Sequence, residues 1–249
     1  MHRLTWTRAA LATALLVGTS TNGEAQKSGD GYRFGAPDAT ITLRGGYAYA
    51  TAGSDIFDEA TTRLTLDKRD FSGVTLGADV AVHITSRIDL LLSGAFSRSK
   101  AGSEFRNFIG SDSLPIEQTT TFERAPVTAG LKYYFTPTGR SIGRTVWIPA
   151  RFAPYVGVGA GAMHYRFRQE GEFVNFQNNG IFASQVESTD WALVGQGLIG
   201  ADYSISPSLG FNVEVRYLGA KSDLGEQFSG YQRIDLSGAS ATVGLSIRL

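Results

Sequence analysis

The 249-residue chain contains no cysteine. Disulfide staples, thiolate zinc sites and cysteine nucleophiles are therefore all excluded. Histidine is almost as scarce, at three in the whole chain, which leaves little material for acid–base catalysis or a transition-metal site. Charge of one sign is missing too. The 23 basic residues balance 23 acidic ones, so no field favours nucleic acid. Proline is modest at 7 while glycine reaches 30, a mixture that favours a glycine-punctuated sheet over disorder. No phosphate loop is present: the Gly157, Gly159, Gly161 run lies in a strand-like segment with no lysine and helix after it. Beyond the N-terminus, long hydrophobic runs are also lacking. The longest charge-free apolar stretch, Phe152 to Tyr165, is interrupted by Pro154 and glycines. It falls short of the roughly 20 residues a spanning helix needs. If the mature chain enters a membrane it must do so as a closed barrel, because lipid offers no partners to open sheet edges.

Residues 1–25 read as a secretory signal peptide. Arg3 and Arg8 supply a positive start, Ala9 to Val17 a short apolar core, and Gly23-Glu24-Ala25 a small-residue cleavage site before Gln26. The expected mature domain is then 26–249.

What is present is alternation. In the last eight residues, Val243, Leu245, Ile247 and Leu249 alternate with Thr242, Gly244, Ser246 and Arg248. Strand side chains point to opposite faces with period 2, so such a segment has one apolar and one polar face. The same pattern sets Val74, Leu76, Ala78, Val80 and Val82 against Thr75, Gly77, Asp79 and His83. It also sets Leu209, Phe211, Val213, Val215 and Tyr217 against Gly210, Asn212, Glu214 and Arg216. Eight strands are expected, at about 40–51, 70–84, 88–99, 119–135, 152–168, 189–203, 209–219 and 233–249. The fifth, rich in Gly and Ala, can be oriented either way.

The connections alternate in length. Short turns at Thr85-Ser86-Arg87 and Ser204 to Ser208 alternate with long polar loops at 52–69, 100–118, 169–188 and 220–232. Transmembrane barrels have short periplasmic turns and long outer loops. The connection 136–151 departs from this, being long and carrying Arg140, Arg144 and Arg151 without an acid. It reads as an insertion across the barrel base or as a site for a periplasmic partner or lipid phosphate. Loops 100–118 and 169–188 carry phenylalanines (Phe105, Phe108; Phe173, Phe176, Phe182). These suit either a ligand or adhesion surface, or strands prolonged above the membrane as hairpins.

Aromatic residues give a ruler. Trp191 and Tyr203 are twelve positions apart on one face, about 28–30 Å along the axis of a barrel with strands tilted roughly 40–45°, against an apolar band of about 25 Å. Tyr133, Phe135, Tyr155 and Phe211 would join the lower aromatic girdle, and Tyr49, Phe96, Tyr165 and Tyr217 the upper. The opposite face, with Arg44, Thr75, Asp79, Arg124, Thr128, Lys132, Gln196, Asp202, Glu214, Arg216 and Arg248, would fill the lumen. Eight strands leave an interior that side chains can fill, so these mixed charges are expected to plug it.

On these patterns the chain resembles the small eight-stranded outer-membrane proteins of the OmpA-barrel, OmpX and OmpW kind. The terminal strand also resembles their assembly signal, with Leu249 where that family usually ends in an aromatic residue. The resemblance implies an all-β, eight-stranded antiparallel up-and-down transmembrane barrel in the outer membrane of a Gram-negative cell. Its partners would be outer-membrane lipids and the barrel-assembly machinery, which would take up the C-terminal strand. It implies a structural, surface-interaction or small-molecule-passage role, with no catalytic, cofactor-binding or metal-binding residues and specificity in the outer loops. Two alternatives stay open. One is a soluble periplasmic barrel of lipocalin-like build with its apolar face inward. The other is a lipid-modifying enzyme using His83 beside Thr85 and Ser86, or His164 near the upper rim.

Overall fold

Period-2 alternation becomes a wall with two chemically opposite faces. A computed structural model describes residues 31–109, 114–143, 145–175 and 180–249; the expected signal peptide, Arg144 and Phe176 lie outside the described residues. The wall is built from β1 (Ala39–Ala50), β2 (Gly73–His83), β3 (Ile88–Ile109), β4 (Pro115–Tyr134), β5 (Phe152–Asn175), β6 (Gly180–Ser204), β7 (Leu209–Ser222) and β8 (Gly238–Arg248). Each pairs antiparallel with the next, and β8 pairs with β1, so eight pairings join the strands into a ring. No described helix is long and apolar enough to cross a membrane.

Register decides which face is which. The row Val213, Val243, Gly45, Leu76, Phe96 runs from strand to strand through directly paired residues, and all of its large members point outward. Leu76 is 65% exposed and Leu245 61%, whereas Arg44 is 5% and Glu214 2% exposed. A lipocalin-like barrel requires the reverse, and that alternative is excluded.

The three connections of the lower end, where β1 begins and β8 ends, are two tight turns and one long hairpin. Ile84–Arg87 and Ile205–Ser208 are tight turns, with Ile84 N–H bonded to Ile88 O and Ile205 N–H to Leu209 O. The long connection is a hairpin, Gly139–Ile142 against Val146–Pro149, whose second arm also pairs with Arg33–Phe34. Gly139 is required there, because a Cβ would lie 2.3 Å from the buried Trp147 ring. Arg140 and Arg151 are exposed, and Arg151 Nε donates to Tyr203 Oη at 2.8 Å.

At the upper end the reading of prolonged hairpins holds and that of plain polar loops does not. Residues 100–109, 115–118, 169–175 and 180–188 are not loop but strand, the upper parts of the β3–β4 and β5–β6 hairpins. Their apolar alternation fades, yet the backbone ladder continues. Charged neighbours sit across it: Arg98–Glu123 at 3.2 Å and Arg166–Glu187 at 3.3 Å. Residues 52–69 are not a polar loop either. They form α1 (Asp55–Arg63) and lead into a 3₁₀ turn at Lys68–Phe71. Asp55 and Asp58 in the first turn and Arg63 in the last suit the helix dipole. Ile56, Phe57 and Ala60 form the buried face.

β5 is oriented with its odd-numbered residues inward, so Tyr155 and Tyr165 are fully buried in the lumen. This corrects their placement in the outer girdles. Glycines on that inward face make the choice for steric reasons: at Gly161 a Cβ would sit 2.1 Å from Val127 O. Tyr49, Phe96, Tyr133, Phe135, Trp191, Phe211 and Tyr217 do point outward as expected.

Candidate functional site

The lumen is the candidate site, and its side chains stack in three levels. Each level exists because alternate residues of a strand share the inner face. At the lower end Lys132 Nζ lies 3.2 Å from Asp202 Oδ2 and 3.6 Å above the Tyr155 ring. Tyr134 Oη donates to the same carboxylate oxygen at 2.7 Å. His83 Nδ1 meets the fully buried Asp89 carboxylate at 2.6 Å, and its Nε2 lies 2.9 Å from Thr40 Oγ1. The imidazole is thus bridged between β1 and β3 and does not engage Thr85 or Ser86. Thr85 Oγ1 instead accepts the N–H groups of Arg87 and Ile88 and closes the turn. Arg248 donates to Ser204 Oγ at 2.7 Å and sits 5.8 Å over the Trp147 ring.

The middle level is a chain of buried charges. Arg44 Nε donates to Asp79 Oδ2 at 2.9 Å, and Arg216 Nη2 reaches the same oxygen at 3.4 Å. Arg216 Nε also donates to Glu214 Oε1 at 2.9 Å. Glu214 Oε2 accepts from Tyr155 Oη at 3.1 Å, and Tyr155 Oη accepts from Asn212 Nδ2 at 3.1 Å. Burying an unpaired charge costs several kcal/mol even after relaxation. Here each carboxylate is matched by at least one guanidinium. Six residues from β1, β2, β5 and β7 are thereby tied across the interior.

The upper level is apolar. Phe57 and Ile56 of α1 enter the barrel mouth and meet Phe71, Phe122, Met163, Tyr165, Phe167, Phe228, Ile234 and Leu236 in one buried cluster. Four rings surround that of Phe57 or stack on in turn: Phe71 at 4.7 Å, Phe122 at 5.5 Å, Phe167 at 5.7 Å, and Phe228 at 5.8 Å from Phe167. The segment is pinned by Asp235, whose Oδ2 accepts Gly53 N–H at 3.1 Å, and by Asp55, whose Oδ2 accepts Gln232 N–H at 2.9 Å. Beside α1 a cavity of about 120 Å³ opens between Ile56, Leu64, Phe105, Phe173, Phe228 and Tyr231. Burial, then the Glu59 and Asp55 carboxylates, raise the Tyr231 phenol above its usual value; Arg63 opposes them.

Every polar residue assigned to the lumen by alternation does face inward. Arg124 departs from the paired pattern, bonding only to the carbonyls of Leu236 and Ser237 at 3.2 and 3.3 Å. His164 lies outside the lumen, stacked edge-on against Trp191 at 5.2 Å and bonded to Thr189 Oγ1 at 3.1 Å. Strand alternation alone does not disclose α1 at the barrel mouth. Its signal was an acidic start, a basic end and Ile56, Phe57, Ala60 and Leu64 at helical spacing. Among the described residues no group of three or more His, Asp and Glu is arranged to hold a metal ion.

No protein-family model matches the chain, and no curated protein sequence matches it. The fold is similar to several solved structures. Neisserial surface protein A is 12% identical, covering 86% of this chain and 99% of that one, with a TM-score of 0.46. The outer membrane protein OprG from Pseudomonas aeruginosa is 17% identical, covering 86% and 98%, with a TM-score of 0.44. Ail, the attachment invasion locus protein of Yersinia pestis, is 14% identical, covering 85% and 99%, with a TM-score of 0.40. The likeness is one of fold.

Proposed function

We propose that the protein is a non-enzymatic integral barrel of the outer membrane that presents its tall upper hairpins at the cell surface while its lumen stays plugged. One observation carries this reading. The wall exposes a continuous apolar belt, and the interior holds paired charges below an aromatic stopper. A belt of that kind is solvated by acyl chains, since contiguous exposed apolar surface on a water-soluble monomer rarely exceeds a few hundred Å². The end with tight turns is then periplasmic and the hairpin tips are external. Lipids are the partners of the belt. The assembly machinery would engage β8, with its outward Val243, Leu245 and Ile247.

The test is membrane fractionation, followed by a detergent gel run with and without boiling and by conductance in planar bilayers. Outer-membrane location, a heat-dependent shift in migration and no steady conductance are expected. A protein in the soluble periplasm with no such shift would overturn the membrane reading. A stable open channel would overturn the plugging alone.

A second reading, passage of a small apolar molecule, is favoured by the cavity beside α1. Deletion of the β3–β4 or β5–β6 tip, assayed for surface adhesion and for hydrophobic-solute uptake, separates the two roles.

A further inference from the structure

Between the charged middle level and the aromatic stopper lies a second cavity, of about 30 Å³. Its lining includes three guanidinium-bearing side chains, Arg44, Arg124 and Arg216, with Ser93 and Gln196. It has room for about two water-sized bodies, enough for one bare halide.

The donors around it are not all used. Arg44 Nη2, Ser93 Oγ and Gln196 Nε2 are buried and have no hydrogen-bond partner in the protein. These residues are 5%, 2% and 7% exposed. Leaving such groups unmet costs roughly 1–3 kcal/mol each, more where the group is charged. The amide is not free to turn its oxygen into the space instead, because Arg216 Nη1 donates to Gln196 Oε1 at 3.3 Å. Arg44 is held by Asp79 through Nε, which leaves Nη2 over.

In number the three guanidiniums are balanced by Asp79, Glu214 and Asp235, so the open capacity is one of hydrogen bonding. Asp79 and Glu214 are both occupied by Arg44 and Arg216. Arg124 hydrogen-bonds to carbonyls alone, and its nearby acid, Asp235, is engaged by the N–H groups of Gly53 and Ser237. The cavity therefore carries surplus donors and one guanidinium without a hydrogen-bonded carboxylate.

We propose that this cavity is a binding site for one small monovalent anion of halide size, held by Arg44, Ser93, Gln196 and Arg124. The ion completes the donor set left open by the protein and locks the charged level to the stopper above it. The site does not depend on which solvent surrounds the outer wall.

Two measurements test it on the full mature chain. Crystals grown or soaked in sodium bromide should show a bromide anomalous peak in this cavity. Equilibrium unfolding in urea, at constant ionic strength with gluconate replaced stepwise by chloride or bromide, should show stabilisation that saturates. At halide ten times its dissociation constant the folding equilibrium shifts about tenfold, by mass action. Sulfate should not substitute. Gln196→Glu places a carboxylate where the ion sits and should abolish the halide dependence; Ser93→Ala should weaken it. If Gln196→Glu does not fold, Ser93→Ala and the bromide peak still decide the matter. A cavity without anomalous density, a wild type insensitive to halide, or a halide response equal in wild type and both variants would each overturn the proposal, leaving water as the occupant.

Discussion

Replacing Leu43 by arginine tests the orientation of the whole wall. Leu43 is 64% exposed on β1, directly between Leu245 of β8 and Ala78 of β2. It lies six residues from the outward Tyr49 of the upper aromatic level, about 14–15 Å below it at the usual rise and tilt and so near the middle of an apolar band of about 25 Å. Its outward neighbours Ile41, Leu76, Val80 and Leu245 offer no carboxylate. A guanidinium there should cost about 2–4 kcal/mol in a bilayer, a roughly 30- to 700-fold loss in the folding equilibrium. On a water-facing wall the same change would be worth less than about 0.5 kcal/mol. The assay is reversible urea unfolding from lipid vesicles, with Leu43→Ala as the reference for the lost side chain. If Leu43→Arg and Leu43→Ala unfold within about 0.5 kcal/mol of each other, the outer face is not in lipid and the reasoning fails.

Further outcomes follow from the interior. Asp79→Ala deprives both Arg44 and Arg216 of an acceptor and should destabilise the barrel by about 3–5 kcal/mol, measured as a lower urea midpoint; a change under about 1 kcal/mol would show that the middle level is not tied as described. Phe57→Ala empties the centre of the stopper and should cost about 3–5 kcal/mol, with faster hydrogen exchange at α1 amides and little change in mid-barrel amides. Brominated lipids should quench Trp191, which is 60% exposed, but not the buried Trp147; single-tryptophan variants report each, and equal quenching would contradict the placement of the lower hairpin. The raised Tyr231 phenol means that the folded form favours the protonated ring. Its stability contribution is full below the ordinary tyrosine range and is lost as pH rises through and above it. Tyr231→Phe should therefore flatten the alkaline end of the stability profile, and an unchanged slope would rule this out.

Much of this protein follows from period alone. Because strand side chains alternate strictly, the residues from Val74 to His83 or from Leu209 to Tyr217 announce both a strand and its two faces. Antiparallel neighbours then place Arg44, Asp79, Glu214 and Arg216 in one interior without any knowledge of contacts. Tertiary structure decided what period cannot express. β5 is ambiguous because Gly and Ala fit either side, and its tyrosines share the inner face with glycines that lie against the neighbouring backbone, as Gly161 does beside Val127 O. The hairpin tips lose their apolar alternation, so their strands are held by a ladder that leaves little trace in side-chain order. Segment 52–69 looked like a polar loop because most of its residues are polar. Its few apolar ones gain meaning only when the barrel mouth supplies a surface to bury Ile56 and Phe57. Pairing partners are likewise decided in three dimensions: which guanidinium meets which carboxylate, and which donors are left unmatched, depend on register between strands that are distant along the chain.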